Sequence, residues 1–201
     1  MLTPMRAHTI LLAAFLALFA CADDPTGLEG TVRFTTSFES GLDGFSADGT
    51  DLDDPPIEWS IERSDERAED GQWSVRLHLE NLNDAGKIWI ERVFELEPGR
   101  AYEVEISYAF ATADFGEINT WTIVAGVSAE DPETVGDLTF QGSTAHDMGM
   151  DVGFVWLERS HALVATTSAA GELWVFLGVW GTSEFTRTYF LDDLEIVFTP
   201  L

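Results

Sequence analysis

Sugar rings present apolar faces that lie well on indole or phenol rings, while amide, carboxylate and guanidinium groups meet their hydroxyls. Side chains of those types stand in a usable pattern over residues 172–180. There Leu173, Val175, Leu177 and Val179 alternate with Trp174, Phe176 and Trp180. Successive side chains of a strand point to opposite faces, so if the aliphatic set fills a core the rings look outward. In a second apolar stretch, 119–127, Asn119, Trp121 and Ile123 share one face; Trp89 and Trp156 stand in two further stretches of this kind. Trp121, Trp174 and Trp180, with Asn119, Glu184 and Arg187 as polar partners, form the expected binding surface. Trp73 is in phase with Val75, Leu77 and Leu79 and is assigned to the core.

Other chemistries find little support. Gly-x-Ser-x-Gly, His-Glu-x-x-His and the glycine-rich phosphate and dinucleotide loops are absent. His78, His146 and His161 have no ligand spacing. The run Asp48, Asp51, Asp53, Asp54 lacks the Gly and Glu that an EF-hand loop requires. Against 36 acidic residues stand 10 basic ones, a formal charge of −26. Such a surface repels nucleic-acid backbones and anionic membranes and leaves neutral ligands and cations. A single cysteine excludes both an internal disulfide framework and a multi-cysteine metal site.

Stepping outward along the chain, residues 1–20 read as an export signal. Arg6 precedes the unbroken apolar run 10–20, which is too short to span a bilayer. Leu18-Phe19-Ala20-Cys21 resembles the lipobox of bacterial lipoproteins, which implies cleavage before Cys21, its lipidation, and membrane attachment through acyl chains. The absence of Asp directly after Cys21 leans toward the outer membrane or cell surface. Residues 21–30 are a short polar tether, and 31–201 form one domain. Its apolar period is two: beside the stretches above, strands are predicted at 31–34, 73–80, 87–95, 102–110, 154–158, 163–167 and 189–198, with Gly-containing turns between them. No stretch carries a sustained helical stripe. Many short strands with polar turns predict an all-β, two-sheet antiparallel β-sandwich.

Several segments together look like the jelly-roll carbohydrate-binding modules, similar to the galactose-binding-like fold. They are Phe38-Glu39-Ser40-Gly41-Leu42-Asp43-Gly44-Phe45, Gly71-Gln72-Trp73-Ser74-Val75-Arg76-Leu77, Leu96-Glu97-Pro98-Gly99-Arg100-Ala101-Tyr102 and the closing Tyr189-Phe190-Leu191-Asp192-Asp193-Leu194. The resemblance implies a structural calcium ion where the first and last strands meet, held by Glu39, by Asp192 or Asp193, and by backbone carbonyls. Parity favours Asp192, which shares the core side of its strand with Leu194 and Ile196. The expectation is therefore a lipid-anchored envelope protein that binds a neutral polysaccharide without transforming it. An adhesive or structural protein with protein partners, and a jelly-roll glycan-cleaving enzyme, are the alternatives.

Overall fold

The computed structural model describes residues 30–113, 120–143 and 153–201. Two antiparallel sheets pack face to face. One contains β3 (Trp59–Ser64), β4 (Ser74–Glu80), β11 (Thr186–Pro200), β6 (Ala101–Thr112) and β9 (Val155–Thr166) in that spatial order, with β1 (Val32–Thr36) also paired to β11. The other runs β2 (Ser46–Thr50), β5 (Lys87–Glu95), β10 (Glu172–Gly181), β7 (Trp121–Ser128) and β8 (Phe140–Ser143). From β4 onward the chain passes repeatedly between the sheets, the path of a jelly roll.

β10 occupies the middle of the five-stranded sheet, and its aliphatic face is fully in the core: Leu173, Val175 and Val179 are at 0% exposure. Residues directly opposite on paired strands point to the same face. Ile123 lies opposite Val179, Ala125 opposite Leu177 and Val127 opposite Val175 on β7, and Ile88 and Ile90 do the same on β5. The facing sheet supplies Leu77, Leu79, Val104, Ile106, Phe110, Ile196 and Phe198. Fully burying each such side chain stabilises by roughly 1.5–3 kcal/mol.

Three strands escape the sequence reading. β2 and β3 are edge strands of polar composition, and β8 has only four residues. The stretches predicted at 154–158 and 163–167 are one strand, β9, whose half-buried and exposed positions alternate from Leu157 to Thr166. Its polar middle, Arg159 to His161, is tolerated because β9 is a sheet edge. Trp73 is not a core residue: it precedes β4, is only half-buried, and lies under the Arg63 guanidinium at 3.7 Å. The ring ends the strand instead of alternating within it.

Gly178 opposes Trp89 on β5. A Cβ there would collide with the Ile88 carbonyl oxygen and stand 2.5 Å from Trp89 Cα, both backbone atoms of a central strand. Gly178→Ala is therefore expected to cost about 2–3 kcal/mol through overpacking. Gly136→Ala, where the nearest atom is Thr134 Oγ1 at 3.6 Å, should be near neutral. Urea midpoints of the two variants check the contrast, and equal midpoints would contradict the packing.

Candidate functional site

The outer face of the five-stranded sheet carries the ring row predicted for β10. Across it, Thr50, Lys87, Trp180 and Thr122 stand in register, then Asp48, Trp89, Gly178 and Val124, then Ser46, Glu91, Phe176 and Gly126, then Val93, Trp174 and Ser128. Trp174 and Trp180 are half-buried, six residues apart on one strand and so about 20 Å from each other. Between them the row is closed. Trp89 and Phe176 are at 0% exposure in a second small core with Val124 and Leu138, flanked by Phe140 and Trp180. Leu138 comes from the β7–β8 connection, which crosses this face and is tied down where Ala125 N–H donates to Thr139 O at 3.1 Å.

The two open rings differ. Trp180 is flanked by Lys87 Nζ, 4.7 Å from its ring, and by Phe140 at 5.2 Å. Lys87 is itself buried and donates to Asp51 Oδ2 (2.7 Å) and Ala85 O (2.6 Å). Trp174 makes no ring contact, hydrogen bond or ion pair among the described residues.

Under the crossing connection lies a carboxyl group that the sequence reading did not single out. Glu91 is 6% exposed and accepts a hydrogen bond from Trp89 Nε1 at 2.6 Å. Burial, with Asp131 of the β7–β8 connection and Asp48 of β2 nearby, pushes its carboxyl up to about 7. The Asp131 carboxyl is also raised, by partial burial and by Asp48 and Glu133, while a hydrogen bond with Glu91 works in the opposite direction. Glu91 alternates outward with Ile88 and Ile90, which a sequence shows; its partner across the fold is not visible there.

The remaining predicted residues disperse. Trp121 is a correction: it is fully buried between the sheets, 5.0 Å from Phe110 and 6.1 Å from Tyr189. It shares the face of Ile123, which the β10 register turns inward, so it cannot join Trp174. Arg187 belongs to β11 of the other sheet, where Nη1 donates to Ala113 O. Glu184 is exposed in the β10–β11 connection. Asn119 and Cys21 lie outside the described residues.

At the rim, the parity argument for Asp192 holds in position: it is at 0% exposure. Its carboxylate is met by the backbone, Oδ2 accepting from Glu69 N (2.8 Å) and Asp70 N (3.1 Å) and Oδ1 from Asp193 N (2.8 Å). Burial pushes this carboxyl up while those amides oppose the shift. Glu39 Oε1 accepts from Gln72 N (2.8 Å) and Trp73 N (2.9 Å), which together with Arg63 hold its carboxyl below the usual range. Two carboxylates thus clamp one loop. Gly71, at φ +68°, sits where a Cβ would be 2.6 Å from the Glu39 carboxyl carbon, so this loop needs glycine. Glu39, Asp43, Asp70 and Asp193 line a common cavity of about 690 Å³ with Arg92.

No protein-family model matches the sequence, and no curated protein matches it. The sandwich is similar to the K1 cleaved adhesin domain of Lys-gingipain from Porphyromonas gingivalis W83, at 12% identity and TM-score 0.51, covering 82% of this chain and 97% of that one. The K2 cleaved adhesin domain of Lys-gingipain gives 18% identity, TM-score 0.49 and the same coverages. The CBM22-1 xylan-binding domain from Paenibacillus barcinonensis Xyn10C gives 15%, 0.43, 84% and 94%. In fold the chain is a two-sheet antiparallel β-sandwich of the same architecture as that K1 adhesin domain. At these identities the likeness is one of architecture, and a function must be argued from the side chains.

Glu91 makes the β7–β8 connection pH-sensitive. Because folding raises its pKa, its contribution to stability is complete below the ordinary value of 4.5 and is lost as the pH climbs through about 7. Between about pH 5 and about pH 8 the wild-type Tm should therefore fall more steeply than that of Glu91→Gln, which keeps an acceptor for Trp89 but does not titrate. Parallel Tm profiles would contradict the assignment.

Proposed function

We propose that the domain binds a neutral glycan without chemically transforming it, with the Trp174 indole as the principal platform and Trp180 as a secondary one. The observation that carries this reading is Trp174 itself: a half-buried ring on an outer sheet face, with no ring contact, hydrogen bond or ion pair among the described residues. An indole left open in this way offers the stacking surface that a pyranose face requires. Asp48, Glu91 and Asp131 on or beside the same sheet face favour an uncharged ligand there over an anionic one. Trp174→Ala should weaken binding of the recognised neutral polysaccharide at least tenfold, read by calorimetry, and leave Tm nearly unchanged. Silence of wild-type protein toward glucans, xylans, mannans and galactans would overturn the reading.

The calcium ion implied by the resemblance belongs to the same proposal in modified form. The cavity-lining Glu39 and Asp193 offer the hard oxygen donors that calcium takes, supplemented by backbone carbonyls and water, whereas Asp192 is occupied in binding three amides. Among the described residues no three His, Cys, Asp or Glu side chains form a metal-binding group, so the carbonyls and water are needed to complete the shell. Calcium at millimolar concentration should raise Tm relative to chelator, and Glu39→Gln should abolish the rise; no shift would remove the ion from the proposal. Lipid attachment at Cys21, and with it a place at the outer membrane or cell surface, rests on Leu18-Phe19-Ala20-Cys21.

A further inference from the structure

The six-stranded sheet carries an aromatic cluster of its own. Phe190 on β11 alternates with the core residues Tyr189 and Leu191 and therefore faces outward, opposite Ala111 of β6, which in turn lies opposite Trp156 of β9. Phe154 stands edge to face with Phe190 at 5.7 Å, and Trp156 closes the group at 6.0 Å from Phe154 and 6.4 Å from Phe190. A cavity of about 320 Å³ opens against Phe154 and Phe190, with Arg67, Arg187, Thr186, Thr188 and the carboxylate of Glu66 among its walls. Thr188 Oγ1 is oriented by His78 Nδ1 at 3.1 Å, and the Arg187 guanidinium is anchored on Ala113 O.

Arg67 stands apart from the other arginines. With 36 acidic residues against 10 basic ones, a guanidinium in this chain has carboxylates in excess to choose from. Arg33 takes Glu195, Arg76 takes Glu62 and Glu66, and Arg100 takes Glu97. Arg63 and Arg92 donate to backbone carbonyls. Arg67 lies over the Phe154 ring at 4.4 Å, and its guanidinium makes no hydrogen bond or ion pair among the described residues. The adjacent Glu66 is drawn to Arg76 Nε at 3.3 Å. The result is a planar, five-donor cation held on a ring at the mouth of a cavity, with its fork open.

We propose that this cavity is a second saccharide site, on the opposite sheet from Trp174, and that it takes a single sugar unit bearing a carboxylate, a uronic acid. The Arg67 fork matches a carboxylate bidentately, the strongest neutral-pH pairing for that group. Phe154, half-buried and backed by the buried Phe190, supplies the wall for the sugar's apolar face, and Thr186 and Thr188 add hydroxyl partners. A volume near the lower end of ligand sites, which begin at about 300 Å³, admits one ring and not a chain. The proposal stands independently of the Trp174 reading, since no residue is shared between the two faces.

The test titrates the full chain with an oligosaccharide ending in glucuronic or galacturonic acid and with its counterpart ending in the neutral sugar, by calorimetry. The acid-terminated ligand should bind at least tenfold more tightly than the neutral one. Arg67→Gln should lose at least tenfold for the acid-terminated ligand, Arg67→Lys should retain part of the affinity, and Trp174→Ala should leave it unchanged. Because Arg67 is exposed and makes no hydrogen bond through its side chain, Arg67→Gln should keep the wild-type Tm, which is measured alongside. Absence of binding, equal affinity for the two ligands, or indifference to Arg67→Gln would overturn the proposal. Loss in Trp174→Ala would place the acid on the other face and overturn it as well.

Discussion

The phase of β10 governs the molecule. A strand in the middle of a sheet must bury one face completely, and Leu173, Val175, Leu177 and Val179 leave no choice about which. Because paired strands share their faces, that single decision propagates sideways: Ile88 and Ile90 turn inward on β5, Ile123 and Ala125 on β7, and with them Trp121. Everything with a polar or aromatic role on the opposite side, from Lys87 through Trp89 and Glu91 to Trp174, is placed by the same parity. A slip of one residue would exchange core and surface along the whole sheet.

The outer row is only partly a surface. Leu138 and its connection lie over Trp89 and Phe176, so two of the four large rings serve packing and two remain at the ends. The closure brings acidic groups together, since the connection carries Asp131 toward Glu91 and Asp48. Hydrophobic contact and carboxyl repulsion therefore meet at one segment. At the other end of the sandwich the arrangement is the reverse. Asp192 and Glu39 are anions matched by backbone amides, and they define a loop instead of loosening one.

Much of this architecture is legible from residue order, because alternation survives in strands with a strongly apolar face. β5 and β10 are recovered almost to the residue, and the outward phase of Trp174, Phe176 and Trp180 is correct. Edge strands fail for a physical reason: β2 and β3 cover little core, so Ser46–Thr50 carries no alternation to read. The site is less legible. Over 119–127 both faces are apolar, and only the partner strand decides where Trp121 points. The pairing of Arg187 with Trp174 fails because β10 and β11 are consecutive in sequence yet belong to different sheets. Glu91 and Asp131 become neighbours only through the fold, as do Arg67 and Phe154.

Lys87 is the only lysine in the chain, and its ammonium is enclosed by Asp51, the Ala85 carbonyl and the Trp180 ring. The other basic side chains are arginine guanidiniums and histidine imidazoles, neither of which is a primary amine that forms Schiff bases. Reducing ends of sugars, and aldehydes in general, condense with accessible amines. The side chains of this domain offer them none that is open to solvent, so it can stand in a sugar-rich medium without being glycated or cross-linked through its own lysine.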